Sequence, residues 1–231
     1  MASAQPPLKA NTTNPPTATP LPRHLLTVDA TLSHALHTLT KPILPHSFLL
    51  LLEYSADFRL SFPVSLALLL APPLSPLRFS FLLPFVVGLL LDLVFIGFVK
   101  TLFRRSRPHY NPSMSPVISI DNFSFPSGHA TRVFFVAASV SLSAAAIERF
   151  ALTFSSKPWG ESGNGWFLDR WIPDDYNKED MTRAIVFGVW IWASLTAISR
   201  VLLGRHFLLD VLAGACFGIL EALFVFRFLR F

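Results

Sequence analysis

The sequence predicts an all-α integral membrane protein, a helical bundle of about five or six transmembrane helices. Apolar residues make up 52% of the 231-residue chain and charged residues only 14%, whereas a soluble domain carries about a quarter charged residues. The 23 Phe against 10 Gly fit helices packed in lipid. The single cysteine, Cys216, excludes a disulfide scaffold and a zinc site built on cysteines.

Hydrophobic stretches predict the individual helices. They run over about 48–71, 79–99, 133–147, 184–198 and 207–226. The second is long enough to cross a hydrocarbon core of about 30 Å. The first contains Glu53, Asp57 and Arg59, so that only residues 60–71 are cleanly apolar. A polar loop at 155–180 carries three tryptophans, which fit an interfacial aromatic belt.

Composition divides the chain into three parts. Residues 1–25 are rich in Pro, Thr, Ala and Ser and have no acidic residue, so we expect a disordered tail. Residues 26–44 are expected to form an amphipathic helix on the membrane surface, because apolar residues recur at helical spacing from Val28 to Leu39. Residues 45–231 are expected to form the membrane-embedded domain.

The basic residues are concentrated near one point of the chain. The net charge is +5, and Lys100, Arg104, Arg105 and Arg107 fall within eight positions. Nucleic acid is disfavoured as a partner, since hydrophobic helices leave little solvated surface for a duplex. Cations beside lipid-exposed helices favour an anionic ligand at the membrane boundary.

The first of three polar clusters ends the second hydrophobic stretch. Lys100 and Arg107 are seven residues apart, about two helical turns, so we expect both on one side of the same helix. Pro108 is expected to end that helix. The alternative is that these cations only extend from a helix end to the membrane surface.

The second cluster is Pro126-Ser127-Gly128-His129, directly before the third stretch. Ser127 can cap a helix, Gly128 lets the backbone approach a ligand, and the first helical turn offers amide groups to a phosphate. His129 could protonate a leaving oxygen. The alternative is a capped helix start with an incidental histidine.

The third cluster runs from Ser199 to Asp210 and includes Arg200. His206 and Asp210 are four residues apart, so on a helix the carboxylate can reach the imidazole. Asp210 also lies within an apolar stretch, where an ionisable residue is costly and is a functional candidate. The alternative is a buried His–Asp pair that only locks two helices.

In order and spacing, the three clusters follow the pattern K-x6-R-P, P-S-G-H and S-R-x5-H-x3-D. This pattern resembles the signature of the type 2 phosphatidic acid phosphatase superfamily, which includes lipid phosphate phosphatases and vanadium haloperoxidases. The resemblance covers about residues 45–228. The surrounding residues look most similar to the polyisoprenoid (presqualene) diphosphate phosphatase branch and to plant lipid phosphate phosphatases of the beta type.

The resemblance implies a role for each residue. His206 would attack phosphorus and form a phosphohistidine, Asp210 would orient it, and His129 would protonate the leaving group. The transferring phosphoryl group would be bound by Lys100, Arg107, Ser127, Gly128 and Arg200. No metal or other cofactor is expected. A second phosphate would need further cations, for which the candidates are Arg104, Arg132 and Arg205.

The function predicted is removal of phosphate from isoprenoid diphosphates or phosphatidate-like lipids. Its partners would be the lipid phosphate and membrane lipids, with no nucleic acid. The endoplasmic reticulum is the expected membrane, with a plastid membrane as the alternative. Two other functions remain open, a vanadate-dependent peroxidase and a non-catalytic lipid-binding scaffold. Asp92 and Glu221, two acids outside the pattern, are expected to pair with Arg or Ser inside the bundle.

Overall fold

The computed structural model describes residues 22–110, 123–155 and 178–229, and within these ranges the chain is helical. The α-helices are α1 (Arg23–Thr40), α2 (His46–Ser55), α3 (Phe58–Leu70), α4 (Leu83–Phe103), α5 (Gly128–Leu142), α6 (Ala144–Ser155), α7 (Lys178–Leu202) and α8 (Leu208–Phe228). A 3₁₀ turn and a π-helical turn lead into α4 over Pro72–Leu77 and Arg78–Leu82. The described part contains no β-sheet, which confirms the all-α prediction.

Three helical segments of the described ranges are long and apolar enough to cross a membrane. They are Leu74–Phe103, Glu179–Leu202 and Leu208–Phe228. Helices α5 and α6 make a fourth candidate if they form one span, although they are bent by 61° relative to each other. The chain is thus a multi-pass membrane protein, while the number of five or six crossings stays a prediction. The predicted loop with its tryptophans lies almost wholly outside the described residues.

Helix α5 lies at the centre of the bundle and packs most extensively against α8 and α7. Two glycines four residues apart on α8, Gly214 and Gly218, let the two backbones touch. A Cβ atom at Gly218 would lie 2.1 Å from the Thr131 carbonyl oxygen, and one at Gly214 would lie 2.6 Å from the Ser127 carbonyl oxygen. This close crossing places the N-terminal ends of α5 and α8 side by side.

Helix α1 packs on the bundle with its polar side inward. Asp29 and Ser33 are 4% and 0% exposed. The outward side carries large apolar residues that are 45–68% exposed, namely Leu25, Val28, Leu32 and Leu39. The helix begins at Arg23, within the tail that the composition predicts to be disordered, whereas residues 1–21 are outside the described ranges. Its location on the membrane surface stays a prediction.

Candidate active site

The three polar clusters meet at one end of the bundle. After α4 the chain turns back, and Ser106 forms an antiparallel bridge with Phe123. The neighbouring Ser124 amide donates to the Arg105 carbonyl oxygen at 2.7 Å, which joins the first cluster to the segment before α5. The Ser124 carbonyl oxygen lies 2.7 Å from His206 Nδ1, which joins that segment to the third cluster. Residues far apart in sequence therefore form one site.

His206 is held in a defined orientation and is 1% exposed. A carbonyl oxygen can only accept, so Nδ1 carries the proton donated to Ser124 and the lone pair is on Nε2. Burial lowers the pKa of His206 well below its ordinary value, and the positive charges of Arg107, Arg200 and Lys100 lower it further. The imidazole is therefore neutral near pH 7, the form that a nucleophile requires.

Asp210 lies close to His206, although not as a partner on the same helix. The expectation of a helical pair is wrong in this respect, because α8 begins at Leu208 and His206 precedes it. Asp210 Oδ2 is 3.9 Å from His206 Nδ1 and accepts from the Phe207 amide at 2.9 Å. Its Oδ1 accepts from Arg105 at 2.7 Å. That Asp210 orients His206 stays a prediction, and any such effect acts beyond hydrogen-bond distance.

His129 is the second residue of α5, and its Nε2 atom is buried with no hydrogen-bond partner among the described residues. The charges of Arg200, Lys100 and Arg107 act on His129 as they do on His206. The same three cations therefore influence both imidazoles electrostatically. An unpartnered ring nitrogen in this position can exchange a proton with a bound substrate.

The turn before α5 has the predicted cap. Ser127 Oγ accepts from the Ala130 amide at 3.5 Å, and the Ser127 amide donates to the Asp210 carbonyl oxygen at 3.0 Å. The amides of Gly128 and His129 are those that open the helix and are directed out of its first turn. An anion at this point would also lie at the positive end of the helix dipole.

The two basic residues of the first cluster reach the site from different backbone segments. Lys100 lies in the last turn of α4 and is buried. The expectation that Arg107 lies on the same helix is wrong, because α4 ends at Phe103 and Arg104 adopts a left-handed conformation with φ 45°. Arg107 follows the turn and donates to the Arg205 carbonyl oxygen at 3.2 Å.

Glu53 of α2 supplies a negative charge next to two arginines of the third cluster and was not predicted as a site residue. Its Oε1 atom is 2.8 Å from Nη1 of Arg200, which is 1% exposed, and its Oε2 atom is 3.6 Å from Nη2 of Arg205. The only signal in the sequence is a carboxylate that interrupts an apolar stretch. Glu53 thus holds a signature arginine from a helix outside the three clusters.

The remaining cations have mostly structural partners. Arg132 Nη2 is 2.9 Å from Asp92 Oδ2, and its Nη1 donates to the Ala56 carbonyl oxygen at 3.2 Å, as expected for an acid paired inside the bundle. The expectation that Glu221 pairs with Arg or Ser is wrong, because neither of its carboxylate oxygens has a hydrogen-bond partner in the described part of the chain. Arg104 is exposed and donates to the Thr101 carbonyl oxygen. No cluster of three His, Cys, Asp or Glu side chains suited to a metal occurs within the described ranges.

Two imidazoles and a set of cations thus lie together at the ends of helices in a helical membrane protein, an arrangement suited to binding a phosphate group. Residues 81–231 match the family model described as "PAP2 superfamily". The chain belongs to this family, which confirms the membership that the three sequence clusters indicate.

One curated relative extends the similarity to almost the whole chain. The chain is 58% identical over 219 residues to "Probable lipid phosphate phosphatase beta" of Arabidopsis thaliana, covering 94% of this chain and 96% of the relative. This similarity fits the phosphatase interpretation and not the peroxidase alternative.

Two solved structures share the fold. A transmembrane PAP2-type phosphatidylglycerolphosphate phosphatase from Bacillus subtilis superposes with a TM-score of 0.62 at 19% identity, covering 90% of this chain and 87% of the other. LpxE from Aquifex aeolicus gives a TM-score of 0.52 at 20% identity, covering 87% of this chain and 96% of the other. Both similarities support the helical membrane fold.

Proposed function

We propose that this chain is a metal-independent lipid phosphate phosphatase that works through a phosphohistidine on His206. The observation that carries the proposal is the 2.7 Å contact of His206 Nδ1 with the Ser124 carbonyl oxygen. It fixes the tautomer in which Nε2 has the lone pair, beside three cations that can bind a phosphoryl group. Family membership and the 58% identical lipid phosphate phosphatase beta support the same class of enzyme.

The first half of the reaction transfers the phosphoryl group to the protein. Nε2 of His206 forms a bond to phosphorus while the bond between phosphorus and the leaving oxygen breaks. The negative charge of the bound phosphate group favours the protonated form of His129, which then gives its proton to that oxygen. Lys100, Arg107 and Arg200 stabilise the charge on the equatorial oxygens, together with the Ser127 hydroxyl and the Gly128 amide at the start of α5.

The second half releases phosphate. Water attacks phosphorus, its proton passes to His129, and the bond between phosphorus and His206 breaks. Asp210 supports the positive charge that His206 carries while it is phosphorylated, at a Nδ1–Oδ2 distance of 3.9 Å. Fixed cations perform the electrostatic role that a divalent ion has in many phosphoryl transferases.

The position of the site supports the proposed substrate class. The cations are at the ends of helices whose outer surfaces carry exposed apolar side chains, among them Leu90, Leu91 and Val94 of α4 and Leu212 of α8. A prenyl or acyl chain can stay in the lipid while its phosphate reaches the site. We propose isoprenoid diphosphates or phosphatidate-like monoesters as substrates, and the endoplasmic reticulum as the membrane, with a plastid membrane as the alternative.

The proposal is tested with the full chain purified in detergent, measuring phosphate released from farnesyl, geranylgeranyl and presqualene diphosphates and from phosphatidate, each with excess EDTA. We expect release from at least one lipid in EDTA, abolished in His206→Ala and reduced by at least about a hundredfold in His129→Ala. His46→Ala, at an exposed position of α2, is the matched control. Equal rates for the wild type and His206→Ala would refute the mechanism, and loss of activity in EDTA would refute metal independence.

A further inference from the structure

Helix α1 supplies the cap that α8 lacks. The residue before α8, Phe207, has an apolar side chain, so it offers no oxygen to the first amides of the helix. The Leu208 amide donates to Ser33 Oγ at 2.9 Å, and the Leu209 amide donates to Asp29 Oδ1 at 3.0 Å. Two polar residues of α1 therefore satisfy the start of the helix that follows His206.

The second oxygen of Asp29 connects α1 to Asp210, the carboxylate beside His206. Asp29 Oδ2 is 2.6 Å from Arg105 Nη2, and Arg105 Nη1 is 2.7 Å from Asp210 Oδ1. The guanidinium also stacks over the Phe207 ring at 4.1 Å, directly beside His206 in sequence. Arg105 is 5% exposed, so this row of two carboxylates and one guanidinium is withdrawn from solvent.

The row is well suited to fixing Asp210. A guanidinium is planar and rigid, so binding each carboxylate with a different nitrogen sets the distance and angle between them. Asp210 has its other oxygen on the Phe207 amide, and its backbone carbonyl accepts from Ser127. Because Asp29 and Asp210 bind the guanidinium from opposite sides, Arg105 stays in place and does not pull Asp210 away from His206.

We infer that Asp29 is a positioning residue for catalysis, acting through Arg105 on Asp210 and through the start of α8 on His206. The inference rests on the proposed role of His206 as nucleophile. It also places α1 within the catalytic unit, in contrast to a catalytic domain that begins at residue 45.

The test is a comparison of kcat and KM in Asp29→Asn, which keeps the shape of the side chain and removes its charge. Misplacement of a catalytic group by about 1 Å can cost about a hundredfold in rate. We expect kcat to fall between tenfold and a hundredfold. This kcat is counted per molecule able to form the phosphoenzyme, and the amount of phosphoenzyme is measured after an alkaline quench that traps it. KM and the inhibition constant of inorganic phosphate should stay within twofold, because Lys100, Arg107 and Arg200 are untouched.

A double-mutant cycle tests the route. Asp29→Asn and Arg105→Gln should each lower kcat, and the double variant should lower it no further than the stronger single one. Asp57→Asn is the matched control, since Asp57 also caps a helix and pairs with an arginine, Arg59, at the start of α3. It should keep the wild-type kcat.

The outcomes separate the two hypotheses. A wild-type kcat in Asp29→Asn overturns the inference, as does an equal loss in phosphate binding and kcat, which would indicate a general distortion of the site. If Asp29→Asn does not yield folded protein, Arg105→Lys serves instead, because an ammonium cannot bridge both carboxylates in the same fork. A wild-type kcat there also overturns the inference. A wild-type rate in His206→Ala would instead refute the proposed role of His206 as nucleophile, on which the inference rests.

Discussion

The crossing of α5 and α8 makes Gly218→Ala the sharpest test of the fold. The added methyl carbon would lie 2.1 Å from the Thr131 carbonyl oxygen and 2.8 Å from the Phe135 amide nitrogen. Both are backbone atoms and cannot rotate away. Ordinary contact begins at 3.4 Å, so the two helices would have to separate by about 1.3 Å, the difference between 3.4 and 2.1 Å.

That displacement should reduce both stability and rate. Inserting a methyl group into a packed interface costs about 1–3 kcal/mol. The N-terminal ends of the same two helices carry His129 and Asp210, so a shift of about 1 Å is expected to cost up to about a hundredfold in kcat. Thermal unfolding in detergent and phosphate release from a lipid phosphate measure the two effects.

Two other glycines provide matched controls for this substitution. A Cβ atom at Gly97 of α4 or Gly188 of α7 would meet nothing within 4 Å. Alanine is favoured over glycine within a helix by about 1 kcal/mol, so Gly97→Ala and Gly188→Ala should keep or raise the unfolding temperature and retain kcat. If Gly218→Ala behaved like these two, the close crossing and the argument from it would be wrong.

Two further predictions concern charge. Arg107→Gln removes a positive charge that lowers the pKa of His206, so that this pKa should rise toward its ordinary value. The acid limb of the kcat/KM profile should then move to higher pH. An unmoved acid limb would contradict the role of His206 as the group that must be neutral. Asp92→Asn removes the carboxylate paired with buried Arg132, which should cost about 3–5 kcal/mol of stability while kcat per phosphoenzyme-forming molecule stays unchanged. Denaturation curves measure the stability, and rates divided by the amount of phosphoenzyme measure kcat. A loss of kcat without a loss of stability would show that Asp92 takes part in the reaction.

The sequence is sufficient to predict the fold class and the clusters that form the site. The length of an apolar stretch can be read from the sequence and compared with the thickness of a membrane. A helix cap such as Ser127 depends on neighbouring residues alone. The same local reasoning locates His129 at the start of α5. These features follow from contacts within a few positions, which is why a single sequence contains them.

The features that the sequence does not predict depend on distant contacts. The end of α4 at Phe103 is accompanied by the pairing of residues 105–106 with 123–124, across the turn. Asp29 is 76 positions from Arg105, and Arg105 is 105 positions from Asp210. The apolar side of α1 shows that the helix is amphipathic, but not that its polar side faces the protein. In a soluble protein the apolar side of a helix faces the core, but in a membrane the surrounding lipid is itself apolar, so the apolar side can face outward and the polar side can face the protein.

The cap that α1 places on α8 has a consequence for how the enzyme is made. Ser33 and Asp29 leave the ribosome early, yet the amides they bind, at Leu208 and Leu209, are 175 and 180 positions later. Contacts of such long sequence separation form late in folding. The nascent chain therefore cannot complete its reactive centre until α8 has formed, and chains that end before α8 are expected to be catalytically silent.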